Sequence, residues 1–219
     1  MNITLGVYDV FTYAVPGSLY LTLLTYIADR LGWVDPARIL QGNTTLIVIT
    51  GAVLSYLLGH VTYSVGEQLA RRYPWNKDIA DARGEFIARV PSARDRPFVE
   101  ADRFTLQAAI EIHNAEAAAD IARNRAVGLM LRNCSPVFAL SAIAAIVQTA
   151  TGQDPAIAAC CAALFLLITA GCLSRSAIIR HWANLKTLQL AFWIPDIDNP
   201  LVSKARSPRQ PGRSNRPSR

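Results

Sequence analysis

Three histidines, His60, His113 and His181, are the side chains best able to exchange a proton near neutral pH in this sequence. They are far apart and share no metal-ligand spacing, and the chain contains no Walker loop, HExxH, GxSxG or CxxC motif. His60 stands near the end of an apolar stretch beside Tyr63. It is either a proton switch or, as we favour, a hydrogen-bonded residue at a membrane interface. The sequence therefore predicts no enzyme and no bound cofactor or metal.

Polar side chains recur at helical spacing inside apolar stretches, and this arrangement can line a pore. Two alternatives stay open. A weakly polar stripe can instead form the interior of a helix bundle, and Asp29 can pair with Arg30 or contact a lipid headgroup. The candidate pore or polar-stripe residues are Thr22, Thr25, Asp29, His60, Ser141 and Gln148.

Four apolar stretches carry these residues, and about 20 mostly apolar residues suffice for a helix to cross a bilayer. We therefore predict an all-α integral membrane protein with four transmembrane helices, a helical cytoplasmic extension and a disordered basic C-terminal tail. The apolar stretches are residues 11–33, 44–63, 136–150 and 155–173.

Composition along the chain divides it into five segments. Transmembrane helices one and two occupy 1–63, a cytoplasmic helical segment 64–133, transmembrane helices three and four 134–174, an amphipathic C-terminal helix 175–198 and the basic tail 199–219.

The polar segments predict further helices. In the cytoplasmic segment, a short helix is expected over 78–90 and one long helix over 98–134, running directly into the third apolar stretch. Arg123, Arg125 and Arg132 of this long helix are expected to meet the inner membrane surface. The amphipathic C-terminal helix either beds in the membrane interface or packs on the cytoplasmic helices.

The distribution of basic residues predicts the orientation. Eleven of the 22 Lys and Arg residues lie in 64–135 and nine follow the fourth apolar stretch. Because Lys and Arg near membrane ends are retained in the cytoplasm, both termini should be cytoplasmic. Arg outnumbers Lys 19 to 3, which is typical of GC-rich bacterial genomes. The expected location is the bacterial inner (plasma) membrane, crossed several times.

The tail accounts for the whole net charge of +6. It is rich in Pro, Ser and Arg, which predicts disorder, and its cations predict contact with anionic lipid headgroups. Its lack of aromatic residues argues against nucleic-acid binding. The lipid-binding candidates are Lys204, Arg206, Arg209 and Arg213.

Small residues follow one face of the second apolar stretch. Small side chains about four residues apart let helix backbones approach closely in lipid, so this face is expected to pack against another helix and to support self-association. The helix-packing candidates are Gly51, Ser55, Gly59 and Thr62.

Three short strings, "YDVFTYAVPG" at 8–17, "LLGH" at 57–60 and "LRN" at 131–133, resemble features of uncharacterised four-span bacterial proteins. Some proteins of this architecture are thought to be membrane effectors of anti-phage defence that act as oligomeric pores. The resemblance covers the layout and these strings, and it transfers no functional residue.

The sequence-based hypothesis is an oligomeric inner-membrane channel or membrane-disrupting effector, gated by its cytoplasmic helices. The cytoplasmic segment is then the candidate surface for a cytosolic ligand or protein partner. The alternative is a non-catalytic membrane scaffold or accessory subunit that recruits a cytosolic or membrane partner.

Overall fold

The computed structural model describes residues 3–72, 79–151 and 154–198, and within these ranges the chain is helical, with no strand. Four helices are long and apolar enough to cross a membrane, which confirms the expected helical class and the number of apolar helices. The α-helices of the described ranges are α1 Ile3–Arg30, α2 Pro36–Leu40, α3 Thr44–Val61, α4 Tyr63–Arg72, α5 Ile79–Arg89, α6 Arg103–His113, α7 Ala115–Thr151 and α8 Pro155–Phe192. Two 3-10 turns, Pro91–Ala93 and Pro97–Glu100, precede α6.

Helix α1 runs through Pro16 without interruption. Pro16 is fully buried. Hydroxyl groups in this helix donate to carbonyl oxygens one turn earlier, from Thr22 to Ser18 at 2.9 Å and from Thr25 to Leu21 at 2.9 Å. The hydroxyl groups of Thr22 and Thr25 thus find acceptors within α1 itself.

The helix predicted over 98–134 is two helices, and the expectation of one is wrong. Asp102 caps α6, accepting from the Phe104 amide at 2.9 Å. Asn114 is extended and ends α6, and its side chain accepts from the Ala117 amide at 3.0 Å at the start of α7. Asp and Asn side chains satisfy backbone donors at helix starts, and here that effect prevails over the helix propensity of the surrounding alanines.

The apolar helices form a row: α3 packs on α1, α1 on α7, and α7 on α8. Two of these helices extend well beyond their apolar stretches, since α7 has 37 residues and α8 has 38. At about 1.5 Å per residue, each is about 55 Å long.

The polar halves of α7 and α8 join α5, α6 and the 3-10 turns in a second packed body, which we call the lobe (79–133 and 175–198). Phe86, Phe98 and Leu185 are fully buried in its core, and side chains of this size contribute about 1.5–3 kcal/mol each on burial. The C-terminal extension of α8 therefore packs on the other lobe helices. Ile178 and Trp182 on the same extension are exposed.

Candidate functional site

A groove of about 870 Å³ lies where α1, α7 and α8 meet, at the end of these helices remote from the lobe. Thr22, Ser141 and Gln148 line it, so the structure brings together three residues of the predicted polar stripe. Much of the remaining lining is apolar and includes Phe138 and Phe165. The groove is therefore amphipathic along its length.

Polar groups from all three helices surround the mouth of the groove. The Tyr26 hydroxyl donates to Gln148 Oε1 at 3.0 Å, joining α1 to α7. The Arg30 guanidinium lies 5.5 Å from the centre of the Tyr26 ring. Asp154, from the start of α8, adds a carboxylate that makes no capping hydrogen bond. The mouth thus carries a cation, Arg30, and a carboxylate, Asp154, beside the hydrogen-bonded pair of Tyr26 and Gln148.

The remaining members of the predicted stripe lie elsewhere. Thr25 is half-buried and bonded within α1, and Asp29 is exposed. His60 is exposed on α3, where its ring stacks on Tyr13 at 3.8 Å and meets Tyr56 edge-on at 4.8 Å. The aromatic cluster around His60 is separate from the groove.

The small-residue face of α3 packs within the chain. Ser55 and Gly59 are buried against α1. A methyl group at Gly59 would lie 2.6 Å from the carbonyl carbon of Tyr13, and one at Gly17 would lie 2.8 Å from the Gly59 nitrogen. Only glycine permits this crossing, because the neighbouring atoms are backbone.

The other two packing candidates, Thr62 and Gly51, lie outside this close backbone contact. The Thr62 hydroxyl donates to the Leu58 carbonyl at 2.7 Å, at the junction of α3 and α4. Gly51 has open space around it, so it stays a candidate for contact with another copy. The lipid-binding candidates Lys204, Arg206, Arg209 and Arg213 lie outside the described residues.

A buried polar cluster where α4 meets α7 was not expected from the sequence. Arg132 is only 5% exposed, with its guanidinium 4.5 Å from the centre of the Tyr63 ring, and Asn133 beside it is fully buried. Gly66 of α4 leaves room for Asn133, because a methyl group there would lie 2.9 Å from its side-chain oxygen. The expectation that Arg132 meets a membrane surface is wrong. The cation is enclosed by helices, and the Tyr63 ring face stabilises it.

A second correction concerns Arg125, which was also expected at the membrane surface. It is half-buried inside the lobe, where it donates to Gln107 and to Thr187. The third arginine of that set, Arg123, is exposed. Helical periodicity alone could not separate the half-buried Arg125 from the exposed Arg123, because the helices that enclose Arg125 come from distant parts of the sequence.

A hydrogen bond between side chains ties α5 to α8 in the lobe. His181 Nε2 lies 2.6 Å from Glu85 Oε2, and Arg89 contacts the other oxygen of that carboxylate. The hydrogen bond with His181, helped by the charge of Arg89, holds the pKa of Glu85 below its ordinary value. These three side chains hold α5 against α8, and we call them the clamp.

The described residues contain no group of three His, Cys, Asp or Glu side chains placed to hold a metal ion. The four cysteines, Cys134, Cys160, Cys161 and Cys172, are free thiols. The groove offers an amphipathic surface and a mixed-charge mouth, which suit the binding or passage of a solute.

Its own structure places the chain in the class of helical proteins with four helices long and apolar enough to cross a membrane, within the residues that the structure describes. No protein-family model, no curated protein and no solved structure matches it.

Proposed function

We propose that this protein is a self-associating channel or membrane-disrupting effector of the bacterial inner membrane, gated by its lobe. The observation that carries the proposal is the continuity of α7 and α8, which run unbroken from the lobe core to the groove. A rearrangement of the lobe would therefore be transmitted along two helices to the groove lining. The basic residues support an orientation with both termini and the lobe in the cytoplasm.

The row of apolar helices supports self-association. In a single chain the groove has an open side, so a closed polar path requires further helices, and neighbouring copies can supply them. Much of α3 is available for such contact, since Leu46, Val48 and Val61 are each more than 60% exposed. The resemblance to anti-phage effectors favours the same kind of assembly, and lobe-bound ligands or proteins would be its triggers.

The first experiment measures mass in detergent and the leakage of ions and dye from liposomes containing the full chain. Gln148→Leu should change the flux several-fold if the groove lines the path, because it removes a polar group and the bond to Tyr26. Val147→Leu is the matched control, since Val147 is exposed on the same helix and does not line the groove. A monomer that passes neither ions nor dye would contradict the proposal.

Gating is tested by a second pair of variants on α8. Leu185→Ala removes a fully buried lobe side chain, which costs about 2–5 kcal/mol in well-packed cores, and should alter the basal flux by loosening the lobe. Leu164→Ala, on the exposed apolar half of the same helix, should leave the flux unchanged. Equal flux in the two variants, with equal helix content by circular dichroism, would show that conduction does not depend on the packing of the lobe.

A role in anti-phage defence is tested by phage challenge of bacteria that express the wild type or Gln148→Leu. Protection should fall together with flux. Protection that survives complete loss of flux would contradict an effector that acts by permeabilising the membrane.

A scaffold is the second candidate, favoured by apolar side chains exposed on the lobe. Phe104 is 63%, Ile112 84% and Trp193 79% exposed, and such residues outside a membrane often mark partner surfaces. Phe104→Ser with Ile112→Ser should then abolish biological activity while flux and mass stay unchanged. Intact activity in this variant would count against the scaffold.

A further inference from the structure

A small pocket in the lobe is lined by three arginines from three helices. Arg83 comes from α5, Arg103 from the start of α6 and Arg125 from α7, and α8 completes the lining with Asn184 and Thr187. All four lobe helices therefore contribute to one site, and two of them continue into the apolar row.

Arg125 is held inside the lobe with part of its hydrogen-bonding capacity unused. Its Nη2 donates to Thr187 Oγ1 at 3.0 Å and its Nη1 donates to Gln107. Its Nε is buried and has no acceptor among the described residues. Burial and, to a smaller extent, the charge of Arg103 lower the pKa of Arg125 to about 10, against a smaller opposite effect of Asp102. The negative charge nearby thus only partly compensates this cation.

Arg83 carries the second unpaired donor of the site. Its Nη1 pairs with Glu100 Oε2 at 3.2 Å and its Nη2 donates to the carbonyl oxygens of Glu100 and Ala101 at 3.2 Å each. Its Nε is buried and, like that of Arg125, has no acceptor in the part of the chain that the structure describes. Leaving a buried donor unpaired is destabilising, so two such donors on residues that line one pocket favour an occupant that accepts hydrogen bonds.

The nearby carboxylates are already engaged. Glu100 pairs with Arg83, and Asp102 accepts from the Phe104 amide as the cap of α6. Arg103 is exposed, with its guanidinium 4.9 Å from the centre of the Phe104 ring, and it makes no ion pair with the described residues. The site therefore presents an exposed cation, Arg103, beside two arginines, Arg83 and Arg125, whose Nε donors have no acceptor among the described residues.

The volume of the pocket limits how much of an anion can enter it. Its volume of about 10 Å³ admits one water-sized atom. A single phosphoryl oxygen fits this space, while the other oxygens would remain at the mouth near Arg103. Guanidinium groups match phosphate oxygens in charge and in hydrogen-bond geometry.

We propose that this pocket binds a phosphoryl group of a small soluble ligand. A lipid headgroup is the less favoured source, because Thr187 lies 13 residues beyond Ser174 along α8, about 20 Å from the end of the apolar stretch. Binding itself is independent of conduction. A role for the ligand in gating rests on the proposed channel function, since the site joins α7 to α8.

The test titrates the full chain in detergent with inorganic phosphate, with sodium chloride at matched ionic strength, and follows heat of binding and thermal unfolding. Saturable binding is expected only with phosphate. Arg103→Gln, an exposed position, should weaken the affinity about tenfold without a change in fold. Arg94→Gln is the matched control, because Arg94 is exposed and does not line the pocket. Arg125→Gln should abolish binding if it remains folded.

Three results would overturn the site. The first is the lack of a saturable response to phosphate, which would mean that water alone occupies the pocket. The second is equal phosphate affinity of the Arg103→Gln and Arg94→Gln variants. The third is an effect of Arg103→Gln that is seen only with vesicles of phosphatidylglycerol, which would mean that the pocket binds a lipid headgroup. Phosphate binding in a protein that passes no ions supports the site and contradicts only the channel. Flux without phosphate binding contradicts only the site.

Discussion

Replacing Gly59 by alanine tests whether the small-residue face of α3 packs within the chain. The new methyl carbon would lie 2.6 Å from the carbonyl carbon and 2.9 Å from the α-carbon of Tyr13. Non-bonded carbon atoms prefer separations of about 3.5–4.0 Å. The atoms in the way are backbone, so no rotamer change relieves the overlap, and α1 must move away by about 1 Å.

The magnitude follows from comparison with Gly51→Ala on the same helix. Both substitutions gain the helix preference of alanine over glycine, about 0.8–1 kcal/mol. Gly51 has nothing within 4 Å of the added methyl group, whereas at Gly59 overpacking should cost about 1–3 kcal/mol. Gly59→Ala should therefore be less stable than Gly51→Ala by about 2 kcal/mol, or about 30-fold in the ratio of folded to unfolded protein.

The assay is unfolding by sodium dodecyl sulfate in mixed micelles, followed by circular dichroism, with mass measured in parallel. The mass in detergent should stay unchanged, because the contact is within one chain. Equal stability of the two variants would refute the crossing of α1 and α3. A smaller mass at unchanged stability would place the face between copies.

Three further predictions concern the lobe. Above pH 5 the wild type should be more stable to unfolding than Glu85→Gln. The folded-state pKa of Glu85 is depressed, so this advantage is present above the ordinary value of 4.5 and is lost as the pH falls through the lower folded value. Asn114→Ala should lower the free energy of unfolding by about 1 kcal/mol, because it removes the cap of α7. Asp198→Ala should lower it by about 1–3 kcal/mol, because Arg96 and the Phe98 amide lose their acceptor.

Each of these has a distinct control. For Glu85, stability curves of wild type and variant that run parallel from pH 7 to pH 3 would count against the clamp. For Asn114, the control is Asn124→Ala, at an exposed position inside α7, which should change stability by less than about 0.5 kcal/mol; equal effects would disprove the cap. For Asp198, a variant as stable as wild type would show that the segment after α8 contributes nothing to the lobe.

Helix length and apolar composition were readable from the sequence because both are local properties. The apolar stretches at 11–33 and 44–63 became α1 and α3, and the short helix expected over 78–90 became α5. Boundaries that depend on a single side chain were less predictable. Asn114 ends one helix and caps the next, although the surrounding residues favour a continuous helix.

The candidate site was only partly predictable. Thr22, Ser141 and Gln148 were identifiable as helical stripes, and they do meet at the groove. That Arg30 and Asp154 share its mouth depends on how α1 and α8 lie against α7, and no local pattern encodes it. The fates of Arg125 and Arg132 likewise depended on which helices surround them.

By itself, the sequence determined that the chain is helical, that four helices are apolar enough to cross a membrane, and that one face of α3 carries small residues. Backbone periodicity and composition suffice for such conclusions. Only the tertiary structure decided that Gly59 meets α1 of the same chain, that α8 joins the lobe, and that three arginines surround one pocket. Those outcomes depend on contacts between residues far apart in sequence, where packing and charge decide which of several compatible faces become partners.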